Sequence, residues 1–157
     1  MASFGPYHLT QTDVAVDADH AFLVAQLRQF NGQRSPQHLH IRAHPPQPLD
    51  LFLRNDAGAI VGGLIAATYW PWLTIDDLWL REDLRAGGYG RQLLAHAERS
   101  ARNRGCAHAS LTTFSFQARG FYEKAGYRVV GQLTDYPPGE TYFWLRKDFL
   151  GQEPARV

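Results

Sequence analysis

Residues 80–105, LREDLRAGGYGRQLLAHAERSARNRG, set an apolar strand end, three glycines and an amphipathic helix in immediate succession. Leu93, Leu94, Ala97 and Ala101 fall at helical spacing and form one apolar stripe. Gly105 sits where a C-terminal cap belongs, and Arg99, Arg102 and Arg104 suit the negative end of the helix dipole. At the other end, the first helical turn has N–H groups with no intrahelical partner. Gly87, Gly88 and Gly90 let a ligand approach that backbone closely. A strand, a glycine loop and a helix in this order make an anion site. The Walker loop needs Lys followed by Ser or Thr, and this chain has Arg91-Gln92. The dinucleotide fingerprint needs Gly or Ala three residues after Gly90, where Leu93 stands, and no second βαβ unit follows. The pattern that fits is Arg85-x-x-Gly88-x-Gly90; the alternative is a flexible loop that only caps the helix.

The preceding strand, LTIDDLWL, changes step. Leu73 and Ile75 alternate on one face, and the apolar positions resume at Leu78 and Leu80, one residue late. A one-residue slip swaps faces unless an extra residue bulges out. Asp76-Asp77 is therefore the expected bulge, bending the strand away from its neighbour just before the glycine loop. A long thin ligand would lie in that gap against strand N–H and C=O groups. The competing arrangement has no bulge and turns Trp79 toward a second core.

With 157 residues, 45% hydrophobic and 20% charged, the chain has the size and composition of one globular domain, residues 1–157. A net charge of +1 gives no basic field for nucleic acid. A lone Cys106 excludes an internal disulfide and fits a reducing compartment. No run is long and apolar enough for a bilayer, and MASFGPYHLTQTD does not read as a signal peptide. The expectation is a cytoplasmic protein with no membrane partner. YHLTQTDV reads as a first strand, and the helix that follows is capped by Asp17 or Asp19. QRSPQHLHIRAHPPQP reads as irregular, and LDLFLRNDAGAIVGGLIAATYW as a hairpin around NDAG. CAHASLTTF is a strand, FQARGFYEKAG a short helix, and YRVVGQLTDY and TYFWLRKDF an antiparallel pair. The fold class is α/β (α+β), with a mixed sheet flanked by helices.

Two blocks now resemble a known family. LWLREDLRAGGYGRQLLAHAERSARNRGC carries Arg85, Gly88 and Gly90. LTTFSFQARGFYEKAGYRVVGQL carries Ala118, Phe121, Tyr122, Glu123, Lys124, Gly126 and Tyr127. In this order and spacing they are similar to the GCN5-related N-acetyltransferase (GNAT) superfamily, and DYPPGETYFWLRKDF resembles a bacterial branch of it. The resemblance implies a centrally splayed sheet, acetyl-CoA as donor and an amine as acceptor. It implies that the pyrophosphate sits on N–H groups from Ala86 through Gly87, Gly88, Tyr89 and Gly90 to Arg91. It implies a pantetheine arm along Leu78, Trp79 and Leu80, near Phe121, and Tyr122 as the acid for the leaving sulfur. Many relatives have Asn, which bonds the pantetheine arm, where this chain has the shorter Ser115, so the chain departs from the family pattern at that contact.

Acyl transfer also needs a base or water chain for the amine proton and a donor for the carbonyl oxygen, which a backbone N–H of the bulged strand can supply. Asp76, Asp77 and Glu82 lie near the expected acyl site without singling out a base. With Asp135 and Glu140 they suggest an acidic pocket for a cationic amine. Trp70, Trp72 and Trp144 are candidate walls for the acceptor. His38, His40 and His44 lack a supporting ligand set, so no metal is expected. Cys106 reads as a small buried residue rather than a partner of His108. The acceptor, a small molecule or a peptide, stays open, as does a homodimer. The rival functions are a non-catalytic acyl-CoA-binding or sensing module and an interaction domain with a vestigial loop.

Overall fold

The computed structural model describes residues 5–149, without the side chains of residues 40 and 41. The chain divides into two compact units between His44 and Pro45.

The first unit holds α1 (Asp17–Arg34) and α2 (Pro36–Arg42). Residues 8–14, expected as part of a strand, are not one, and Tyr7 makes only an isolated bridge. The segment alternates but is mostly polar, and the Thr12 hydroxyl both donates to Val14 O (2.9 Å) and accepts from Val14 N–H (3.1 Å). That local bonding competes with a ladder. α1 has no side-chain cap; Asp17 and Asp19 lie inside its first turn, where their charge favours the positive dipole end. α2 falls in the stretch expected to be irregular. Pro36 occupies its first position, and Ser35 Oγ accepts the His38 N–H at 3.1 Å. Ser-Pro here starts a helix because proline's missing N–H costs nothing in a first turn.

The second unit is a seven-stranded mixed sheet in the order β1-β3-β4-β5-β7-β6, with β2 also on β3. Its strands are β1 (Gln47–Pro48), β2 (Leu51–Arg54), β3 (Ile60–Tyr69), β4 (Trp72–Leu80), β5 (His108–Phe114), β6 (Arg128–Thr134) and β7 (Thr141–Asp148). The β2–β3 hairpin turns at 55–58, where Asn55 Oδ1 accepts the Ala59 N–H at 2.9 Å. β4 and β5 run parallel, while β3–β4, β5–β7 and β6–β7 are antiparallel. Between β4 and β5 come a 3-10 turn (Glu82–Leu84) and α3 (Tyr89–Asn103); α4 (Arg119–Lys124) lies between β5 and β6.

One sheet face packs against α3 and α4. Leu94, Ala97 and Ala101 of α3 meet Leu64, Leu73, Ile75, Leu111 and Leu145 from the strands, with Tyr122 and Tyr127 beside them. β3 comes close to both neighbours through two glycines: a Cβ on Gly62 would lie 2.5 Å from Leu80, and one on Gly63 2.6 Å from Leu51 O. A partly buried ion pair joins α3 to β7, with Lys147 Nζ 2.6 Å from Oε2 of the buried Glu98. The Tyr127 ring lies against that lysine, 5.6 Å from Nζ to the ring centre. Burial, and after it the Glu98 charge, drives the Tyr127 hydroxyl far above its ordinary pKa.

Candidate active site

The change of step in β4 is a bulge. Ile65 pairs with Asp77 and the adjacent Ala66 with Ile75, so Asp76 has no partner on β3. Leu73, Ile75, Leu78 and Leu80 consequently all turn toward α3, and Trp79 is turned away and half-exposed. β4 pairs with β5 only from Trp72 to Ile75, although β5 continues to Phe114. Beyond the bulge the two strands part.

The gap continues into a cleft of about 800 Å³, a volume ordinary for a small-molecule site. Asp76 to Leu80 line one side, Thr112 and Thr113 another, and the glycine loop and α4 complete it. Arg81 N–H bonds Val61 O at 2.9 Å, so in the regular ladder from Asp77 onward the odd residues bond β3. Antiparallel alternation then turns the N–H and C=O groups of Leu78 and Leu80 into the gap. Leu80 O confirms the direction, since it accepts Arg85 Nε–H at 3.2 Å from outside the ladder. Arg85 thus ties the loop to the end of β4.

The loop ends at α3. Gly88, at φ +82°, is the residue before the first helical position, and the first helical bond is Gln92 N–H to Gly88 O (3.1 Å). The N–H groups of Gly88, Tyr89, Gly90 and Arg91 precede that bond and form a fan of the kind that suits an anion. The glycines serve different ends. Gly88 requires the left-handed region, as does Ala86 at φ +65°. Gly90 is buried, and a Cβ there would sit 3.4–3.6 Å from Leu80 and Phe121. Gly87 leaves space for the Tyr89 ring, 2.9 Å from where a Cβ would be.

Of the residues expected at the site, Leu78, Trp79, Leu80, Arg85, Ala86, Gly88, Gly90, Arg91, Phe121 and Tyr122 line the cleft together, and Gly87 and Tyr89 stand beside it in the loop. Ser115 does not line it. Its hydroxyl bonds Glu140 and accepts the Thr141 N–H at 2.9 Å, tying the end of β5 to β7. Glu140 is held in that tie, and Asp135 Oδ1 accepts the Gly139 N–H at 2.8 Å within the β6–β7 loop. Glu82 is outside the lining as well, which leaves Asp76 and Asp77 as the carboxylates at the gap. Tyr122 is nearly buried, and its N–H and C=O groups anchor it to Ala118 and to Tyr127. Burial first, and then the Asp77 charge, raises its hydroxyl pKa, so it stays protonated at neutral pH.

Gln117 lines the cleft and was not singled out by sequence reasoning. Its Oε1 accepts from Phe114 N–H (2.9 Å) and Thr113 Oγ1 (3.2 Å). Those donors fix the carbonyl end and leave the amide –NH2 as the group available to a ligand. No spacing rule marks such a residue; its only sequence signal is a side-chain amide directly before the Ala118–Tyr122 motif. Cys106 is buried, which raises its thiol pKa, and His108 Nδ1 faces Asp148 instead (2.6 Å). Among the described residues no group of three or more His, Cys, Asp or Glu is placed to hold a metal ion; the His40 side chain lies outside them. No described helix is long and apolar enough to cross a membrane.

The chain is similar to known proteins in sequence and fold. The Acetyltransferase (GNAT) family profile matches residues 14–127. Blasticidin-S acetyltransferase of Streptomyces morookaense is 37% identical over 130 residues, 78% of this chain and 96% of its own. Acetyltransferase Atu2258 of Agrobacterium fabrum (strain C58) is 37% identical over 101 residues, 64% of this chain and 74% of its own. The crystal structure of an acetyltransferase from Bacillus cereus ATCC 14579 superposes with a TM-score of 0.77 at 31% identity, covering 89% of this chain and 98% of that one. With its splayed strands, glycine loop and buried tyrosine, the chain belongs to the GNAT family of acetyltransferases.

Proposed function

We propose that the protein transfers an acetyl group from acetyl-CoA to the amine of a small molecule. The observation that carries this is the coincidence of three features in one cleft: the fan of N–H groups at Gly88–Arg91, the outward backbone groups of Leu78 and Leu80, and the protonated Tyr122. The family match across residues 14–127 supports treating both units as parts of one acetyltransferase domain. The relative named for blasticidin S supports a small-molecule acceptor.

Bound acetyl-CoA supplies an activated acetyl thioester. Its pyrophosphate is suited to the N–H fan, with Arg91 beside it. Leu78 and Leu80 offer strand-like pairing to the pantetheine amides, and Gln117 offers the side-chain donor that Ser115 cannot. The Leu78 N–H is the donor placed for the carbonyl oxygen as it gains charge. The acceptor must react as a neutral amine, and its proton leaves to Asp76, Asp77 or a water between them. A C–N bond forms, the C–S bond breaks, and Tyr122 returns a proton to the sulfur. The products are an amide and a free thiol.

The test is thiol release from acetyl-CoA with a broad amine panel, beside calorimetry with CoA. Wild-type protein should bind CoA and release thiol with at least one amine. Tyr122→Phe should keep its CoA affinity and lose turnover roughly 10²–10⁴-fold. CoA binding without thiol release would select the non-catalytic binding module instead.

A further inference from the structure

The sheet face turned away from α3 carries a second groove, of about 530 Å³, that shares Asp76 and Thr112 with the cleft. Its layout follows from strand register. At Thr112, β7 contributes Trp144, which pairs with it, while Asp76 flanks it from the parted β4. Two residues down β5, Ser110 lies between Thr74 and Arg146. That step spans about 7 Å. The floor of Thr74, Ser110 and Thr112 is small and polar, so the groove stays open above it.

The two ends differ in charge. Asp76 marks the end that joins the cleft. At the other, the single Asp148 carboxylate receives both Arg146 (2.7 Å) and Arg128 (3.0 Å), which leaves one positive charge uncompensated. Arg146 is also stacked over Trp72, 4.9 Å from the ring centre, which fixes its guanidinium at the groove. Trp144 is the aromatic wall between these ends. It begins an unbroken series of ring contacts, Trp144 to Tyr142 (5.1 Å), Tyr142 to Phe114 (4.7 Å) and Phe114 to Phe116 (5.1 Å). Phe116 lines the cleft, so this wall runs from the groove to the site of transfer.

We infer that the acceptor is a ring-bearing amine that also carries an anionic group, bound in this groove with its ring on Trp144, its amine beside Asp76 and its anion toward Arg146. This rests on the acetyltransferase reading and narrows its substrate. A flat ring gains contact with the indole, the amine is drawn to the carboxylate at the mouth of the cleft, and the anion meets the Arg146 guanidinium in a cluster where one carboxylate serves two arginines. A purely cationic acceptor, the expectation from a gathered acidic pocket, meets repulsion at that far end.

Three probes separate the contributions: 4-(aminomethyl)benzoate has ring, amine and carboxylate; benzylamine lacks the carboxylate; 6-aminohexanoate lacks the ring. The first should exceed each of the others in kcat/KM about tenfold. Trp144→Leu should erase its advantage over 6-aminohexanoate, and Arg146→Gln its advantage over benzylamine, with KM for acetyl-CoA unchanged in both. Asp148 keeps Arg128 and His108 in the second variant, so the edge of the sheet retains its ties. Equal rates for the three probes, or an equal loss for all three in Trp144→Leu, would overturn the inference. If none releases thiol, calorimetry with 4-(aminomethyl)benzoate on the CoA-loaded protein decides it. Binding that weakens about tenfold in Trp144→Leu upholds the groove, and absent binding overturns it. The acetyltransferase reading is judged separately, by thiol release across the broad amine panel.

Discussion

β4 and β5 behave as two different structures along their shared length. From Trp72 to Ile75 they form a closed parallel ladder, with Leu73 completely buried beneath it. From Asp77 to Leu80 the same strand keeps its β3 partner and loses β5, and the freed backbone lines the cleft. The chemistry of the strand does not change between the halves; Leu78 and Leu80 are as apolar as Leu73 and Ile75. What changes is one residue without a partner. Asp76 bends the strand and, by restoring step, keeps Leu73, Ile75, Leu78 and Leu80 on the α3 face. The closed half should therefore carry stability and the open half binding.

The strongest way to break this contrast is to delete Asp76. Ile75, Asp77, Leu78, Trp79 and Leu80 would then alternate without interruption, with Ile75, Leu78 and Leu80 still facing α3. The variant should fold, close more of β4 onto β5 and lose measurable CoA binding in calorimetry. Retained affinity would show that the opening does not depend on the bulge. Leu73→Ala probes the closed half. It should cost about 2–5 kcal/mol in denaturant unfolding, while CoA affinity per folded molecule stays at the wild-type value.

A smaller effect distinguishes two glycines at the open end. Gly88→Val forces a branched residue into the left-handed region and should weaken CoA binding roughly a hundredfold, or about 2.7 kcal/mol. Gly90→Ala places its methyl group at ordinary contact distance and should leave affinity within about threefold, well under 1 kcal/mol. Equal losses would mean that the motif works as a unit rather than through separate requirements. The mildest test concerns Asp77. In the proposed mechanism Tyr122 acts in its protonated form, so turnover should fall as pH rises through its pKa, which burial and then the Asp77 charge hold above 10.0. Asp77→Asn removes the second cause and should move the alkaline limb of kcat to lower pH. An unmoved limb would separate Asp77 from the acid.

These features were unequally legible in the sequence. The bulge could be read because it leaves a parity error between Ile75 and Leu78, visible within a few residues. The glycine loop could be read as the entry to α3, although not that Gly88 answers to a backbone angle and Gly90 to packing against Leu80 and Phe121. The segment at 8–14 misled because alternation without enough apolar residues buries nothing. α2 was missed because Pro36 was weighed as a breaker without the Ser35 cap before it. Asp135, Glu140 and Ser115 were misplaced for one reason: their partners are turn and hairpin groups known only once β6 and β7 pair. The aromatic wall was equally hidden, since Phe114 and Tyr142 become neighbours through strand register.

The partly buried Glu98–Lys147 pair has a mechanical consequence. Glu98 lies in the middle of α3, the helix whose first turn presents the N–H fan. Beside the pair stands Tyr127, whose N–H bonds the Tyr122 carbonyl at 3.0 Å. The Tyr127 ring lies against Lys147, so α3, β7 and the segment that follows Tyr122 meet at one charged contact away from the cleft. The two ends of the proposed site, the helix turn and the tyrosine, thus share a support that neither of them touches directly.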